Sequence, residues 1–250
     1  MNVLHIARRE FGATFSTAVG WLVLCGFLLL TGVFWFSQFT YYVTESANVV
    51  FNPYGAPMMT VAEHLVLPFF GNTLVVALMV VPAISMRLFA EELRSRTLEL
   101  LLTSPVSTAE IVLGKYLGAL GFLGVMALGT AYAPASLYLW ATPDWGAVAG
   151  GYLAFLLLSG ALLSMGMLCS AFTNNQIVAL ILSFSAGLAL YVLAWLGDGP
   201  DAWQTQLSIG SHLEDFLRGA VRLSDVVYYL SFIAFFLFAT HQRLESTRWR

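Results

Sequence analysis

Six apolar stretches, each close to the ~20 residues that a helix needs to cross a bilayer, make up most of this sequence. Their approximate limits are Val19–Tyr41, Leu65–Ser85, Ile111–Trp140, Val148–Phe172, Ile177–Leu196 and Leu223–Thr240. The stretches lack the alternation of a membrane barrel, and backbone groups in lipid must bond internally, so we expect helices. The sequence therefore predicts an all-α polytopic membrane protein with six transmembrane helices, forming a single domain over residues 1–250.

The composition excludes a soluble globular protein. Hydrophobic residues make up 59% of the 250 residues, charged residues 10%, and the mean hydropathy is +0.79. A soluble domain carries roughly 25% charged residues. Nucleic-acid binding is also excluded as a function, because the chain has no basic domain.

The distribution of lysine and arginine predicts the orientation in the membrane. With six spans, both termini lie on one side, and that side holds nine of the eleven basic residues. These are Arg8, Arg9, Arg87, Arg94, Arg96, Lys115, Arg243, Arg248 and Arg250. Because positively charged loops stay in the cytoplasm, we expect both termini to be cytoplasmic, in a bacterial inner membrane.

The N-terminal segment predicts an amphipathic helix at the membrane surface. One face carries Leu4, Ala7, Phe11 and Phe15. Arg8 and Arg9 would then point toward lipid headgroups. The arginine pair imitates an export signal, but the apolar stretch that follows exceeds the about 7–15 residues of a signal and has no A-x-A cleavage site. We therefore expect it to be retained as the first span.

The segment between spans 2 and 3 is the longest charged one. Residues Arg87–Ser104 favour helix, with Glu92 placed four residues before Arg96 as a supporting ion pair. An apolar stripe consists of Phe89, Leu93, Leu100 and Leu101. Pro105 should end this helix, because proline disfavours the helical conformation in the residue before it.

A second helix is expected to begin directly after this break. Ser107 and Glu110 have the spacing of a capping box, in which each side chain bonds the backbone amide of the other residue. The result would be a helix, a break and a helix at the cytoplasmic surface. A plain solvated loop with helical content is the alternative interpretation of the same pattern.

The start of span 3 contains a glycine pair rather than a nucleotide site. Gly114 and Gly118 form a G-x-x-x-G pattern that predicts close helix packing. A P-loop is excluded, because Ala109 occupies the place of its first glycine and Tyr116 the place of its serine or threonine. We therefore expect no ATP hydrolysis by this chain.

The segment before span 6, Gly197–Ser224, predicts amphipathic helices at the outer surface. One helical face carries Leu213, Phe216, Leu217, Ala220 and Val221. On the other face, Glu214 and Arg218 form an i,i+4 pair. A helix that only packs at the interface is the alternative to a functional one.

Two stretches carry a family resemblance. Glu91-Glu92, the run from Thr97 to Ser107 and the run from Glu110 to Lys115 resemble the segment after span 2 in permease subunits of ABC-2 class ATP-binding cassette transporters. The stretch between Ile209 and Leu237 resembles the gliding-motility-associated branch of that class. Arg96 is a departure, since relatives often carry glycine there, and its backbone geometry is expected to differ.

The resemblance implies a half-transporter. A cytoplasmic dimer of ABC ATPases would bind ATP and magnesium, and a second permease subunit, identical or related, would complete the pathway. A membrane protein with an extracytoplasmic domain is a further partner. The implied coupling segment contains Glu91, Glu92, Arg94, Arg96, Glu99, Pro105, Ser107 and Glu110. Glu91, Glu92 and Glu99 are the residues assigned to ATPase contact.

An intramembrane enzyme and a passive scaffold are the two alternative classes of function. An intramembrane enzyme is not expected, because Glu63-His64 is the nearest acid–imidazole pair and no H-E-x-x-H or G-x-S-x-G is present. A passive scaffold or anchor for an ATPase-containing envelope complex stays open, since no charge is buried in mid-span. Polar residues within the spans could join helices by hydrogen bonds, namely Thr31, Ser159, Ser164 and Ser183.

Overall fold

The computed structural model describes residues 2–51, 60–97, 106–137, 139, 144–197, 199 and 202–248, and these contain helices and no strand. The α-helices are α1 (Asn2–Ser16), α2 (Ala18–Phe51), α3 (Leu67–Ser85), α4 (Arg87–Ser95), α5 (Thr108–Gly129), α6 (Tyr132–Leu137), α7 (Trp145–Phe172), α8 (Gln176–Val192), α9 (Trp203–Leu207), α10 (Glu214–Leu217) and α11 (Leu223–Arg248). A π-helical turn at Ala62–Val66 leads into α3, and 3₁₀ turns lie at Leu193–Leu196 and Ser211–Leu213.

Six helical stretches within these residues are long and apolar enough to cross a membrane, which confirms the predicted fold class. They are Ala18–Asn48, Ala62–Ser95, Thr108–Leu137, Trp145–Phe172, Gln176–Leu196 and Leu223–Ser246. The last one extends past Thr240, the end predicted from sequence. The third is interrupted at Thr130 and Ala131, just before the helix that contains Pro134, so this span is not one continuous helix.

The bundle is organised around α7. This helix packs against α3, α5, α8 and α11, and its apolar window is the most buried of the six. The windows of α3 and α5 are also mostly buried, whereas α2, α8 and α11 expose most of theirs. The three inner helices therefore form the core, and the three outer ones present apolar surface to lipid or to another membrane protein.

The hydroxyl groups inside the spans are used mainly within their own helices. Thr31 donates to the carbonyl of Phe27 at 2.9 Å. Ser164 and Ser183 likewise donate to carbonyls three and four residues earlier, each at 2.8 Å. The idea that these hydroxyls join neighbouring helices is therefore wrong for these three residues.

The two ends of the bundle differ in charge. We call one end the basic face; it consists of α1, α4, the start of α5, and the ends of α7 and α11. Contacts between these elements hold it together, for example the bond from Thr108 on α5 to Glu245 on α11. The other end, the distal face, consists of the start of α7, helices α9 and α10, and the start of α11.

Candidate functional site

Helix α4 is anchored to the end of α7 through one serine. The buried Ser170 hydroxyl accepts from the amides of Phe89 at 3.1 Å and Ala90 at 2.9 Å, and it donates to the carbonyl of Met86 at 2.8 Å. These amides belong to the first turn of α4, where helical partners are lacking. The side chains of Phe89 and Ala90 are fully buried. The inner side of α4 is therefore fixed to the core.

A buried ammonium group joins α4 to two other helices. The Nζ of Lys115 lies 2.7 Å from Glu92 Oε1 on α4 and 3.0 Å from Glu10 Oε1 on α1. Lys115 itself is 2% exposed, and its Nζ is 5.4 Å from the centre of the Phe89 ring. We call Glu10, Lys115 and Glu92 the charge clasp. Because a buried charge is costly without partners, the clasp holds α1, α4 and α5 together.

Two glycines let α1 approach α5 beside the clasp. A Cβ on Gly114 would lie 2.7 Å from the Ile6 side chain, and one on Gly118 would lie 2.7 Å from the carbonyl oxygen of Ala7. The G-x-x-x-G pattern thus marks a close contact, as predicted, and its partner is the N-terminal helix. Leu4, which the sequence places on the apolar face of an interfacial helix, is 72% exposed, whereas Ile6 and Glu10 face α5.

The exposed side of α4 borders a polar cavity of ≈ 340 Å³ that opens between α1 and α4. Arg87 lies at its wall and donates from Nη1 to the Thr17 hydroxyl at 3.3 Å. Glu91 also lines the cavity and is exposed, as are Arg94 and Arg96. These four charged side chains are available to a soluble partner, whereas Glu92 is occupied by Lys115.

The predicted length of this helix is wrong. Helix α4 ends at Ser95, and Arg96 adopts the left-handed conformation with φ of 58°. Glycine reaches this conformation at no steric cost, which explains why glycine suits the position. The predicted pair of Glu92 with Arg96 is replaced by the bond to Lys115. Glu99 and Pro105 lie outside the described residues.

The predicted capping box is present. The Ser107 amide donates to Glu110 Oε2 at 3.1 Å, and the Glu110 amide donates to Ser107 Oγ at 3.2 Å. Two amides at the start of α5 are thereby satisfied by side chains. The start of span 3 is consequently fixed a short distance from α4.

The distal face carries the second group of predicted residues. Leu213, Phe216 and Leu217 are buried, and Arg218 pairs with Glu214 at 2.8 Å, as predicted. The helix is shorter than expected, because α10 ends at Leu217 and Gly219 takes a φ of 78°. Ala220 and Val221 therefore lie beyond the helix, and Val221 is 54% exposed.

Sequence reasoning missed the clasp. From the sequence, Lys115 contributes only to the predicted orientation, and no role is predicted for Glu10. A signal was available, since Glu10 lies on the same helical side as Phe11 and Ala7, where an unpaired carboxylate would be unfavourable. The pairing with a lysine 105 positions away could not be read from local spacing. Among the described residues, no group of three or more His, Cys, Asp or Glu side chains could hold a metal ion.

These features define the class of protein: a six-span, all-α membrane protein with short amphipathic helices docked at both ends of its bundle. Residues 4–244 match the family described as ABC-2 family transporter protein, and the chain belongs to that family. No curated protein gives a significant match to the chain. Family membership and the six apolar helices together make it a membrane-spanning transporter protein.

Proposed function

We propose that the chain is the permease subunit of an ABC-2 transporter that exports cargo across a bacterial inner membrane, with both termini in the cytoplasm. A second permease subunit completes the pathway, and a separate ATPase dimer binds ATP and magnesium. The assignment of this chain to the gliding-motility-associated branch of the class, and a partner with an extracytoplasmic domain, belong to the same proposal. The observation that carries it is α4, a short charged helix fixed to the core at the basic face.

The orientation rests on the charge difference between the two ends. Arg8, Arg9, Arg87, Arg94 and Arg96 surround α1 and α4, whereas the distal arginines are each paired with a carboxylate. The positive-inside rule therefore supports a cytoplasmic position for the basic face. This is the side on which an ATPase must bind.

Helix α4 has the arrangement that force transmission requires. Its outer side presents Glu91, Arg94 and Arg96 to the cytoplasm, and such charges at the rim of an interface fix register and partner choice. Its inner side is bonded to α7 through Ser170 and to α5 and α1 through Lys115. A displacement of α4 by a bound ATPase would therefore move three helices together. Glu99 and Pro105 remain proposed members of the same coupling segment.

The test is a charge reversal at Glu91. We expect Glu91→Lys to lower the recovery of the ATPase with the purified permease several-fold, because it replaces an attractive contact by a repulsive one. Glu92 is unsuitable for this test, since its reversal would also break the clasp. The matched control is Glu214→Lys on the distal face, which makes the same change in charge at another exposed helix residue.

Three outcomes decide the proposal. Loss of ATPase with Glu91→Lys and normal recovery with Glu214→Lys support it. Equal recovery with both variants contradicts ATPase contact through α4. Normal ATPase binding without ATP-dependent cargo movement in reconstituted vesicles favours the passive scaffold instead.

A further inference from the structure

The distal face contains an acid–imidazole pair that transport does not explain. His212 lies in the 3₁₀ turn before α10, and its Nδ1 is 2.7 Å from Oδ1 of Asp225 in the first turn of α11. Its Nε2 is 3.0 Å from the backbone oxygen of Gln206. The imidazole ring stacks on the ring of Tyr228, with centroids 4.1 Å apart. The imidazole is thus held on both edges and on one face.

Both bonds require one proton more than a neutral imidazole and a carboxylate carry together. A backbone carbonyl only accepts, and so does an ionised carboxylate. Both contacts are hydrogen bonds when the imidazole is doubly protonated, or when it is neutral and the carboxyl group of Asp225 holds the proton. Without that proton, one of the two contacts places a lone pair against an acceptor oxygen. The geometry therefore depends on the number of protons that the pair binds.

The pair is one of three side-chain links between residues 203–213 and α11. The hydroxyls of Tyr228 and Tyr229 donate to the carbonyls of Leu207 and Ile209, both at 2.7 Å. Phenols stay protonated at neutral pH. An imidazole instead changes its charge between about pH 5 and pH 8. Only the link through His212 is thus expected to respond to pH in that range.

The surrounding charges do not oppose the extra proton. The other titratable or charged side chains on the elements packed around the pair are Tyr191, Glu214, Asp215, Arg218, Arg222, Tyr228 and Tyr229. Each arginine is engaged with a carboxylate, Arg218 with Glu214 and Arg222 with Asp215. The side chain of Asp225 is 9% exposed, and its Oδ2 has no hydrogen-bond partner among the described residues. The Ser224 hydroxyl donates weakly to Oδ1 at 3.5 Å. Because a buried charge with an unpaired oxygen is unfavourable, a proton shared with His212 stabilises the carboxylate.

We propose that His212 and Asp225 form a proton latch that holds residues 203–213 on α11. Binding of a proton closes the latch, and loss of that proton as the pH rises opens it. In the orientation proposed above, this face meets the compartment outside the cytoplasm. The chemistry of the latch does not rest on the transport proposal.

Hydrogen–deuterium exchange of the full chain in lipid nanodiscs tests the latch. Exchange of the amides in residues 203–211 is measured at about pH 5 and about pH 8.5, which bracket the range in which an imidazole changes its charge, and it is corrected for the exchange rate of unstructured peptide. We expect roughly tenfold less protection at the higher pH, because one charge-assisted bond is lost. Protection of α7 should be the same at both pH values, and it therefore reports whether the bundle stays intact.

Two variants at the pair make the test specific. In Asp225→Asn, the amide can donate to Nδ1 of a neutral imidazole, whose Nε2–H still donates to Gln206, so protection should be high at both pH values. His212→Gln can serve only one of the two acceptors with its amide group and should be weakly protected at both. His64→Gln changes a histidine of the π-helical turn before α3, and it should keep the wild-type difference in protection between the two pH values. The latch is overturned if the pH-dependent loss of protection persists in Asp225→Asn, or if it disappears in His64→Gln.

Discussion

The basic face and the distal face are held together by different ionisable groups. At the basic face, the ammonium of Lys115 holds α1 and α4 against α5. At the distal face, the imidazole of His212 holds the segment before α10 against α11. Both links connect a short amphipathic element to a membrane span, and each contains a buried ionisable residue at the end of that span.

The difference between these two groups suggests a difference in use. A lysine ammonium keeps its charge throughout the range in which an imidazole titrates. The clasp is therefore suited to a permanent mechanical connection, as coupling to an ATPase requires. The latch is suited to a connection that solution conditions can release. Perturbing each link in turn tests this contrast.

Removal of the clasp cation should have the largest effect. Lys115→Met leaves the carboxylates of Glu10 and Glu92 facing each other, and breaking a buried pair in this way costs about 3–5 kcal/mol. Both carboxylates are about one-fifth exposed and can gain water, so we expect the lower end of that range, about 3 kcal/mol. The measurement is the free energy of unfolding in detergent at neutral pH.

Two controls separate the charge from the packing of the lysine stem. Arg94→Met removes an exposed charge from α4 and should change stability by less than about 0.5 kcal/mol. Adding Glu92→Gln to Lys115→Met should recover part of the loss, because one of the two opposed charges is gone. A double variant as unstable as the single one would mean that the clasp contributes through packing alone.

The sequence was informative wherever the signal is local. Apolar length predicted the spans, the spacing of Ser107 and Glu110 predicted the cap of α5, and the spacing of Glu214 and Arg218 predicted their pair. Each of these features depends on residues within a few positions or on one continuous stretch. Local patterns of this kind follow from helix geometry alone.

The features that local spacing could not predict depend on tertiary contacts. Glu92 was assigned to Arg96 four residues away, but the structure pairs it with Lys115 of another helix. The end of α4 at Ser95 follows from the left-handed conformation of Arg96, which intrinsic helix preference opposes. The latch joins residues 13 positions apart across the turn that contains Gly219. Charge pairing between separate elements decided the first and the third case.

An intermediate effect is expected at the distal contact between α7 and α10. A Cβ on Gly150 would lie 2.0 Å from the carbonyl oxygen of Phe216, so Gly150→Ala must displace α10. Overpacking of this kind typically costs 1–3 kcal/mol, hence about 2 kcal/mol here. Gly124→Ala is the matched control, because a Cβ there meets nothing within 4 Å. It should be neutral or should stabilise by up to about 1 kcal/mol through helix preference.

The readout again compares the two faces. Besides unfolding, exchange of residues 203–217 should accelerate in Gly150→Ala, whereas exchange in α1 should stay the same. Equal stability of Gly150→Ala and Gly124→Ala would show that α10 moves away from α7 without loss and is not firmly docked.

The smallest effect on stability, and the sharpest functional contrast, should come from the helix caps. Ser107→Ala removes the cap of α5 at the basic face. Asp144→Ala removes the cap of α7 at the distal face, where the Gly146 amide donates to Asp144 Oδ1 at 2.9 Å. Each change should cost about 1 kcal/mol, because both remove one side-chain acceptor at a helix N-terminus. Ser107→Thr keeps the acceptor and should be close to wild type.

The two cap variants differ in what else they should change. The cap at Ser107 stiffens the start of α5 next to the clasp, in the region through which α4 would drive the bundle, so its loss should lower cargo moved per ATP hydrolysed. Asp144 lies away from that region and should leave this ratio unchanged at the same loss of stability. Reconstituted vesicles with the ATPase bound provide the measurement. If both variants lower the ratio equally, the decrease reflects general destabilisation, and the start of α5 does not transmit force.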